Sequence, residues 1–333
     1  MATLASNFLT LADWAKRVDP DGNVPVVAEL LSQSNEILAD ALFSEGNQPT
    51  GHRVIIRTGL PTAYWRSINQ GVPASKSTTA QVDESIGMLE AYAKVDKDLA
   101  LLNGNTAAFR LSEDSAFLES MNQAQASTLF YGNPATDPRQ YLGLAARYSS
   151  LAAGNSQNIL DAGGTASNNA SIWLTVWGEN SVFCTFPKGS QAGLIHNDQG
   201  ELVVYDTAFN PYQAFQTHYQ WKNGLVVKDW RYVVRIANIN TANLVAESAA
   251  ADIIKLMSRA LDRVPSLANG KPAFYMNRTL FSMLRIQALN KSQNVLDIQR
   301  GLNQFGQASN WLDFLGVPIR RVDQLLNNES RVV

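Results

Sequence analysis

One stretch in the second half of the chain, residues 215–240 (FQTHYQWKNGLVVKDWRYVVRIANIN), constrains the fold more than any other. Its Asn223-Gly224 pair predicts a β-hairpin turn, because both central positions of a type I′ turn need a positive φ angle. In the strand after that turn, apolar residues alternate with a set that is partly charged, so that the two faces of the strand differ. Its apolar face consists of Val226, Trp230, Tyr232, Val234 and Ile236. Its other face carries Asp229, Arg231 and Arg235 together with Val227 and Val233. This pattern predicts a strand inside a sheet, with a core beneath it and a polar layer or a neighbouring molecule above it.

The composition limits the function classes. At 333 residues the chain is long enough for about two domains. It carries 27 basic and 29 acidic residues, a net charge of −2. Tight nucleic-acid binding needs an excess of basic residues along the phosphate backbone, and this chain has none. A protein that only encloses DNA is compatible with this balance.

Cysteine content and apolar runs limit the compartment. The single cysteine, Cys184, lies in an apolar strand run, so we expect a buried structural residue rather than a reactive thiol. No apolar run reaches the ~18 residues of a membrane helix. The N-terminal residues lack a basic stretch followed by an apolar core, which predicts no secretory signal. We therefore expect a soluble protein that is made inside the cell.

The first half of the chain predicts two short helices followed by a long arm. The helices are expected over residues 10–18 and from residue 25 to about residue 41. Residues 52–68 and 86–99 both have the pattern of strands, and residues 69–85 between them form a polar loop. Paired with each other, the strands would make an arm ~45–55 Å long. Two strands alone are marginally stable in water, so we expect another subunit to support the arm.

Longer helices follow. Residues 111–132 predict a helix that is capped by Ser112, with Glu113 and Asp114 near its positive N-terminal end. Further helices are predicted over residues 243–264 and 277–290. The remaining predicted elements are a hairpin of residues 171–178 and 181–187, a strand at 201–205 and an extended segment around 316–319.

No motif in the sequence carries catalytic chemistry. His52, His196 and His218 are far apart, and none has a second metal ligand at a short spacing. Gly270-Lys271 is followed by Pro272, which excludes a P-loop, and no G-x-S-x-G elbow is present. Helix-end electrostatics explain the acidic pair at residues 113–114 better than acid–base catalysis does. We therefore expect no enzyme and no catalytic, cofactor-binding or metal-binding residues.

The tryptophans divide into two groups. Those on amphipathic elements are expected in the core: Trp14, Trp173, Trp177, Trp221, Trp230 and Trp311. Trp65 lies near the end of the predicted arm instead. Exposed aromatic residues favour interfaces, so we expect Trp65 to contact a partner.

Several segments carry a family resemblance. Residues 222–231 (KNGLVVKDWR), followed by 234–239 (VRIANI), resemble the major capsid proteins of tailed bacteriophages, in particular those of short-tailed phages. The resemblance extends to residues 173–178, 187–190, 192–194 and 316–320, so that it covers roughly the last half of the chain. It implies an α+β protein with the Hong Kong 97-type capsid fold, whose element order can be permuted.

The resemblance also implies a division of the chain. That fold has an N-terminal arm, an extended β-hairpin loop, a peripheral domain with a long spine helix, and an axial domain. The corresponding segments are 1–51 for the arm, 52–99 for the extended loop, 100–135 for the peripheral domain, 136–240 for a central β-rich region and 241–333 for the C-terminal helices and strand. The last two segments are not divided between the peripheral and axial domains. The candidate spine helix is 111–132, with 243–264 as the alternative.

The partners follow from the same resemblance. Hexamers and pentamers of the chain would build an icosahedral shell around double-stranded DNA, with no sequence-specific DNA contact. The shell would be assembled in the cytoplasm of a host bacterium and become part of the virion. Only about 50 residues precede the predicted arm, so we expect a separate scaffold protein, along with a portal and a decoration protein. Some members crosslink subunits through a lysine of the extended loop. No motif marks Lys76, Lys94 or Lys97, and we expect no crosslink.

Two other readings stay open at this point. The same fold also occurs in encapsulin-like cargo compartments. A protein of a different class, a β-rich phage tail or carbohydrate-binding module, would use its tryptophans to stack on sugars. Neighbouring portal and terminase genes distinguish the phage shell from the compartment, and glycan binding by the isolated monomer would favour the third reading.

Overall fold

The computed structural model describes residues 33–102, 106–206, 208–248, 250–290, 297–302 and 308–333, with only the backbone for 289–290, 297–302 and 308–312. The helices are α1 (Ile37–Asp40), α2 (Lys97–Leu101), α3 (Thr106–Tyr131), α4 (Leu144–Arg147), α5 (Thr241–Val245), α6 (Ile253–Arg263) and α7 (Arg278–Asn290). The first strands are β1 (Phe43–Glu45), β2 (Gly51–Gly59), β3 (Thr78–Ser85), β4 (Gly87–Asp96), β5 (Ile159–Asp161), β6 (Asn169–Trp177) and β7 (Val182–Phe186). The later strands are β8 (Leu194–Tyr205), β9 (Pro211–Val227), β10 (Val233–Asn240), β11 (Lys271–Met276), β12 (Asp297–Leu302), β13 (Ala308–Phe314) and β14 (Val317–Arg321).

Twelve of the described strands form one continuous sheet, and β2 and β3 form a separate pair. In one half of the large sheet, β6 lies between β10 and β11, and β11 pairs with β14. In the other half, β9 pairs with β4, β7 and β8. A single residue pair, Trp177 with Val182, joins β6 to β7. The molecule therefore has a body, formed by the large sheet and its helices, and an arm, formed by β2 and β3.

The core is built on β6. Its sequence, NASIWLTVW, has six apolar residues and no charged one, and all nine residues are buried. Both faces of such a strand must be covered, and α3, α6 and α7 contribute buried side chains to the same cluster. Trp173 lies 6.0 Å from Phe130 and 6.1 Å from Tyr148 between ring centroids.

The long helix α3 connects the two halves of the body. Its 26 residues span about 39 Å at 1.5 Å per residue. Phe117 and Met121 pack against β4 and β9, whereas Leu129 and Phe130 enter the main core. The helix ends before Gly132, as predicted. It begins earlier than predicted, so Ser112 is no cap, and Glu113 and Asp114 do not lie at the N-terminal end.

The expected hairpin turn at Asn223-Gly224 is wrong. Strand β9 runs through both residues to Val227, and neither has a positive φ angle. Asn223 pairs with Gly87 of β4, and Gly224 pairs with Thr185 of β7, so the strand changes partner here. Glycine is needed at this position because the backbone of Ser85 packs close to it: a Cβ at Gly224 would lie 2.6 Å from the carbonyl oxygen of Ser85.

The strand predicted after that turn is also interrupted. A short 3-10 helix, Trp230–Tyr232, separates β9 from β10, so the expected two-residue alternation does not continue through it. Tyr232 is buried, but Trp230 is only partly buried at the edge of the main core. The predicted polar layer exists at Arg235, which donates to Glu329 at 2.8 Å and lies over the Trp173 ring.

The expected strand pairings of the first half are wrong as well. Strand β2 pairs with β3, inside the segment predicted as a polar loop, whereas β4 pairs with β9. Likewise β6 and β7 form no hairpin, because they pair with other strands apart from the single pair named above. The actual hairpin of this region joins β8 to β9.

Among the other helices, the prediction for residues 277–290 is confirmed by α7, whereas the predicted helix over 243–264 is divided between α5 and α6. Residues 10–18, residues 25–32 of the predicted second helix and Trp14 lie outside the described residues, as does the side chain of Trp311. In the described part of that second helix, residues 33–41, only Ile37–Asp40 is helical, so the prediction is wrong there. None of the described helices is long and apolar enough to cross a membrane.

Candidate assembly surfaces

The arm projects from the body as two antiparallel strands. Their register runs from Gly51 opposite Ser85 to Gly59 opposite Thr78. The nine residues of β2 correspond to about 30 Å, shorter than the arm predicted from the sequence. Residues 60–77 connect the two strands, have no helix or strand of their own, and are exposed throughout. We call residues 60–77 the tip.

The tip exposes large apolar side chains. They are Leu60, Tyr64, Trp65, Ile68 and Val72. The exposure expected for Trp65 is confirmed, since its side chain has no cover within the described part of the subunit. Several large apolar side chains exposed on one short segment indicate an interaction surface, and aromatic residues are frequent at the centres of such surfaces.

The charged residues of the arm beyond its base are all basic. From residue 46 to residue 82 the sequence contains no Asp or Glu, and its basic residues are Arg53, Arg57, Arg66 and Lys76. The first acidic residue after this stretch, Asp83, pairs with Arg53 at 2.6 Å on the exposed surface of the arm. The tip therefore combines apolar side chains with positive charge.

Only the base of the arm contacts the body through buried side chains. Val54 packs against Phe183 and Val226 in a small separate cluster. Glu84 is 6 % exposed and accepts hydrogen bonds from both terminal nitrogens of Arg147, at 2.6 and 2.7 Å. His52 packs edge-on against Phe183, and burial together with nearby Lys228 lowers the pKa of His52 below its ordinary value.

A second surface is the face of β4 and β9 that α3 does not cover. Tyr92 stacks on His218 with ring centroids 4.5 Å apart, and Glu90 accepts hydrogen bonds from Gln220 and approaches His218. At the far end of the β8–β9 hairpin, Tyr205 and Phe209 are exposed.

The residues singled out as candidates for chemistry are scattered. His52 lies at the arm base, whereas His196 and His218 lie on β8 and β9 beside different aromatic partners. Among the described residues, no three His, Cys, Asp or Glu side chains are grouped to hold a metal ion. Cys184 is buried, as predicted, and burial raises the pKa of its thiol to about 12.

The acidic pair at residues 113–114 lies within α3 rather than at its N-terminal end. Asp114 lies in the middle of α3, where burial raises the pKa of its carboxyl group while a hydrogen bond with Tyr219 opposes the shift. The three lysines considered for crosslinking are separated too. Lys76 is exposed in the tip, Lys94 is partly buried on β4, and Lys97 pairs with Glu201 at 2.6 Å.

A family comparison decides among the readings. The model of the family described as major capsid protein GP7 matches residues 19–333. The chain belongs to this family. A chain of the cryo-EM structure of bacteriophage Epsilon15 is 33 % identical, with a TM-score of 0.79, over 100 % of this chain and 99 % of that chain. A search of curated protein sequences found no match.

More distant structures bear on the fold alone. The capsid of bacteriophage JBD30 is 9 % identical, with a TM-score of 0.50, over 89 % of this capsid protein and 92 % of that chain. An encapsulin of Synechococcus elongatus reaches a TM-score of 0.44 at 11 % identity over 70 % of this chain and 97 % of that chain, too low to support a cargo compartment.

This major capsid protein thus has the mixed helix and strand Hong Kong 97-type fold, as predicted. Its role is structural, in the capsid of a phage virion. Its functional sites are accordingly the surfaces through which copies contact one another. The sequence motifs that carried the resemblance lie mostly on buried strands. The arm tip carried no motif and was indicated by the predicted polar loop of residues 69–85 and by Trp65.

Proposed function

We propose that the arm tip is the surface through which one copy of this capsid protein holds the next one in hexamers and pentamers of an icosahedral shell. The single observation that carries the proposal is the distribution of burial along the arm. Its base is anchored through Val54 and Glu84, whereas its tip exposes five large apolar side chains. A pair of strands with such a tip gains its stabilising contacts from another molecule.

The division of the chain follows the strand pairings. We place the extended loop at residues 51–85, because β4 pairs with β9 of the body. Of the two candidate spine helices, α3 is favoured, since it reaches from the β4–β9 sheet into the main core and residues 243–264 do not form one helix. The shell encloses double-stranded DNA without reading its sequence, consistent with the net charge of −2.

Further partners belong to the same proposal. A separate scaffold protein directs assembly in the cytoplasm of the host bacterium. A portal occupies one vertex, and a decoration protein binds the outside of the shell.

Sedimentation of the purified chain with and without a co-expressed scaffold tests whether copies of the chain assemble with one another, because a species that stays monomeric under all conditions contradicts the proposal.

The arm itself is tested by shortening it. Gly59 and Thr78 are paired, so residues 60–77 can be replaced by an Asn-Gly turn that closes the hairpin. We expect a folded subunit with near-native circular dichroism and a free energy of unfolding within about 0.5 kcal/mol of wild type, because the tip buries nothing. Electron microscopy should show no closed shells.

The matched control is Gln70→Ala, which changes one exposed polar residue of the tip. We expect it to form normal shells. Normal shells from the shortened chain would refute the role of the tip, whereas an unfolded shortened chain would mean that the tip belongs to the fold of the subunit.

A further inference from the structure

We infer that the buried ion pair of Glu84 and Arg147 is the positioning contact that sets the direction in which the arm leaves the body. Through that direction it decides where the tip can meet a neighbouring copy. The second part of this inference rests on the proposed function. The first part concerns the isolated subunit and stands without it.

No backbone ladder joins the strands of the arm to those of the body. Within the described residues, β2 and β3 pair only with each other. Backbone hydrogen bonds tie the base of the arm to the body on both sides: before β2, Gly46 donates to Phe186 and Lys188 donates to Gln48, and after β3 the pairing of β4 with β9 begins at Gly87. A two-stranded ladder held at one end can rotate about that end, so side chains must set its angle.

Two arm side chains larger than a hydrogen atom are buried, and they act differently. Val54 touches Phe183 and Val226, but apolar contact is not directional. Glu84 forms a bidentate pair with Arg147, and the fork geometry of such a pair constrains both distance and angle. Of these two buried side chains, Glu84 therefore makes the directional contact.

Arg147 is itself held by the body. Its guanidinium also donates to the carbonyl oxygens of Leu225, at 3.1 Å, and Leu142, at 3.3 Å. The first belongs to β9 and the second to the segment before α4. The guanidinium group of Arg147 thus joins the C-terminal end of β3, at the base of the arm, to two separate body elements. Its side chain is 14 % exposed, so water screens the pair weakly.

The next residue pair along the arm, Arg53 and Asp83, can be compared with the pair of Glu84 and Arg147. Arg53 and Asp83 are paired across β2 and β3, with side chains 44 % and 55 % exposed. Both partners belong to the arm, so their contact cannot orient the arm relative to the body. As an exposed pair it contributes little to stability.

The experiment measures the arm angle directly. Spin labels are placed on the tip through Lys76→Cys and on the body through Glu179→Cys, both exposed positions. The only native thiol, Cys184, is fully buried and does not compete for the label. Pulsed electron paramagnetic resonance then gives the distribution of tip-to-body distances in the subunit, and electron microscopy of the unlabelled chains gives the yield of closed shells.

Three backgrounds are compared. Asp83→Asn, the matched control, should keep the single narrow distance and the wild-type shell yield. Glu84→Gln leaves Arg147 buried without its carboxylate and should lose the narrow distance. The double variant Glu84→Leu with Arg147→Met removes both charges, which cores tolerate better than one unpaired charge. It should stay folded, with a wild-type urea midpoint, and still show a broad distance distribution and few closed shells.

The double variant decides the outcome even where Glu84→Gln fails to fold. A folded double variant with one narrow distance overturns the positioning role, because apolar contact then suffices to orient the arm. A broad distance with a wild-type shell yield overturns the link from arm direction to assembly. Neither result depends on the shortened-tip experiment, which separately tests whether the tip contacts another copy.

Discussion

Strands β6 and β2 have the same length but differ in how much of each is buried. Each has nine residues, but every residue of β6 is buried, whereas β2 buries only Gly51 and Val54. The β6 sequence has six apolar residues and no charged side chain. The β2 sequence, GHRVIIRTG, has three apolar residues, flanked by three basic or potentially basic side chains. The described part of the subunit covers all of β6 but leaves most of β2 exposed.

The difference separates folding from assembly within one chain. Residues of the body gain their free energy of burial when the subunit folds. Residues of the arm tip leave their apolar surface exposed in the subunit, and under the proposed function another copy covers it. Substitutions in the two regions should therefore change different measured quantities, namely the free energy of unfolding for the body and the yield of shells for the arm.

The largest expected effect comes from exchanging one tryptophan in each region. Trp173 is 0 % exposed, so Trp173→Ala should lower the free energy of unfolding by about 3–5 kcal/mol, measured by urea denaturation. Trp65→Ala in the tip is the control and should change it by less than about 0.5 kcal/mol while reducing the shell yield. Equal losses of stability in the two variants would break the distinction between body and arm.

An intermediate effect is expected where the arm base touches the body. A Cβ at Gly224 would lie 2.6 Å from the Ser85 carbonyl oxygen and 3.0 Å from Ile86 Cγ1. Gly224→Ala should destabilise the subunit by about 1–3 kcal/mol through overpacking, measured by thermal or urea unfolding. Gly71→Ala in the tip, where a Cβ meets nothing within 4 Å, should be neutral or slightly stabilising. A harmless Gly224→Ala would show that the arm base moves freely.

The smallest expected effect is a pH dependence at the arm base. The pKa of His52 lies below 6.5 in the folded subunit because burial and nearby Lys228 disfavour the imidazolium ion. Below pH 6.5 the unfolded chain therefore binds more protons, and the contribution of His52 to stability is lost as the pH falls. His52→Gln should flatten the fall in urea midpoint between neutral pH and about pH 5. An identical pH profile in both proteins would contradict the burial of His52 at this junction.

The sequence by itself indicated the burial of Trp173, Trp177 and Cys184, the exposure of Trp65 and most of α3. It also placed Trp221 and Trp230 in the core, where the structure leaves both only partly buried. The family was also readable, because residues 222–239 carry its pattern. Burial and family motifs are local properties of the chain, and a single sequence contains them.

Only the tertiary structure decided which strands lie side by side. Alternation states which side chains face inward, but every strand offers the same backbone hydrogen-bonding groups to its neighbours. That is why β4 could be expected beside the strand at residues 52–68 and in fact pairs with β9. The pair Asn223-Gly224 is compatible both with a hairpin turn and with a continuous strand. In the structure it lies in a strand, and the absence of a side chain at Gly224 lets the backbone of Ser85 pack close to it, a contact between residues 139 positions apart in the chain. Such contacts depend on the packing of distant segments, which local sequence preferences do not specify.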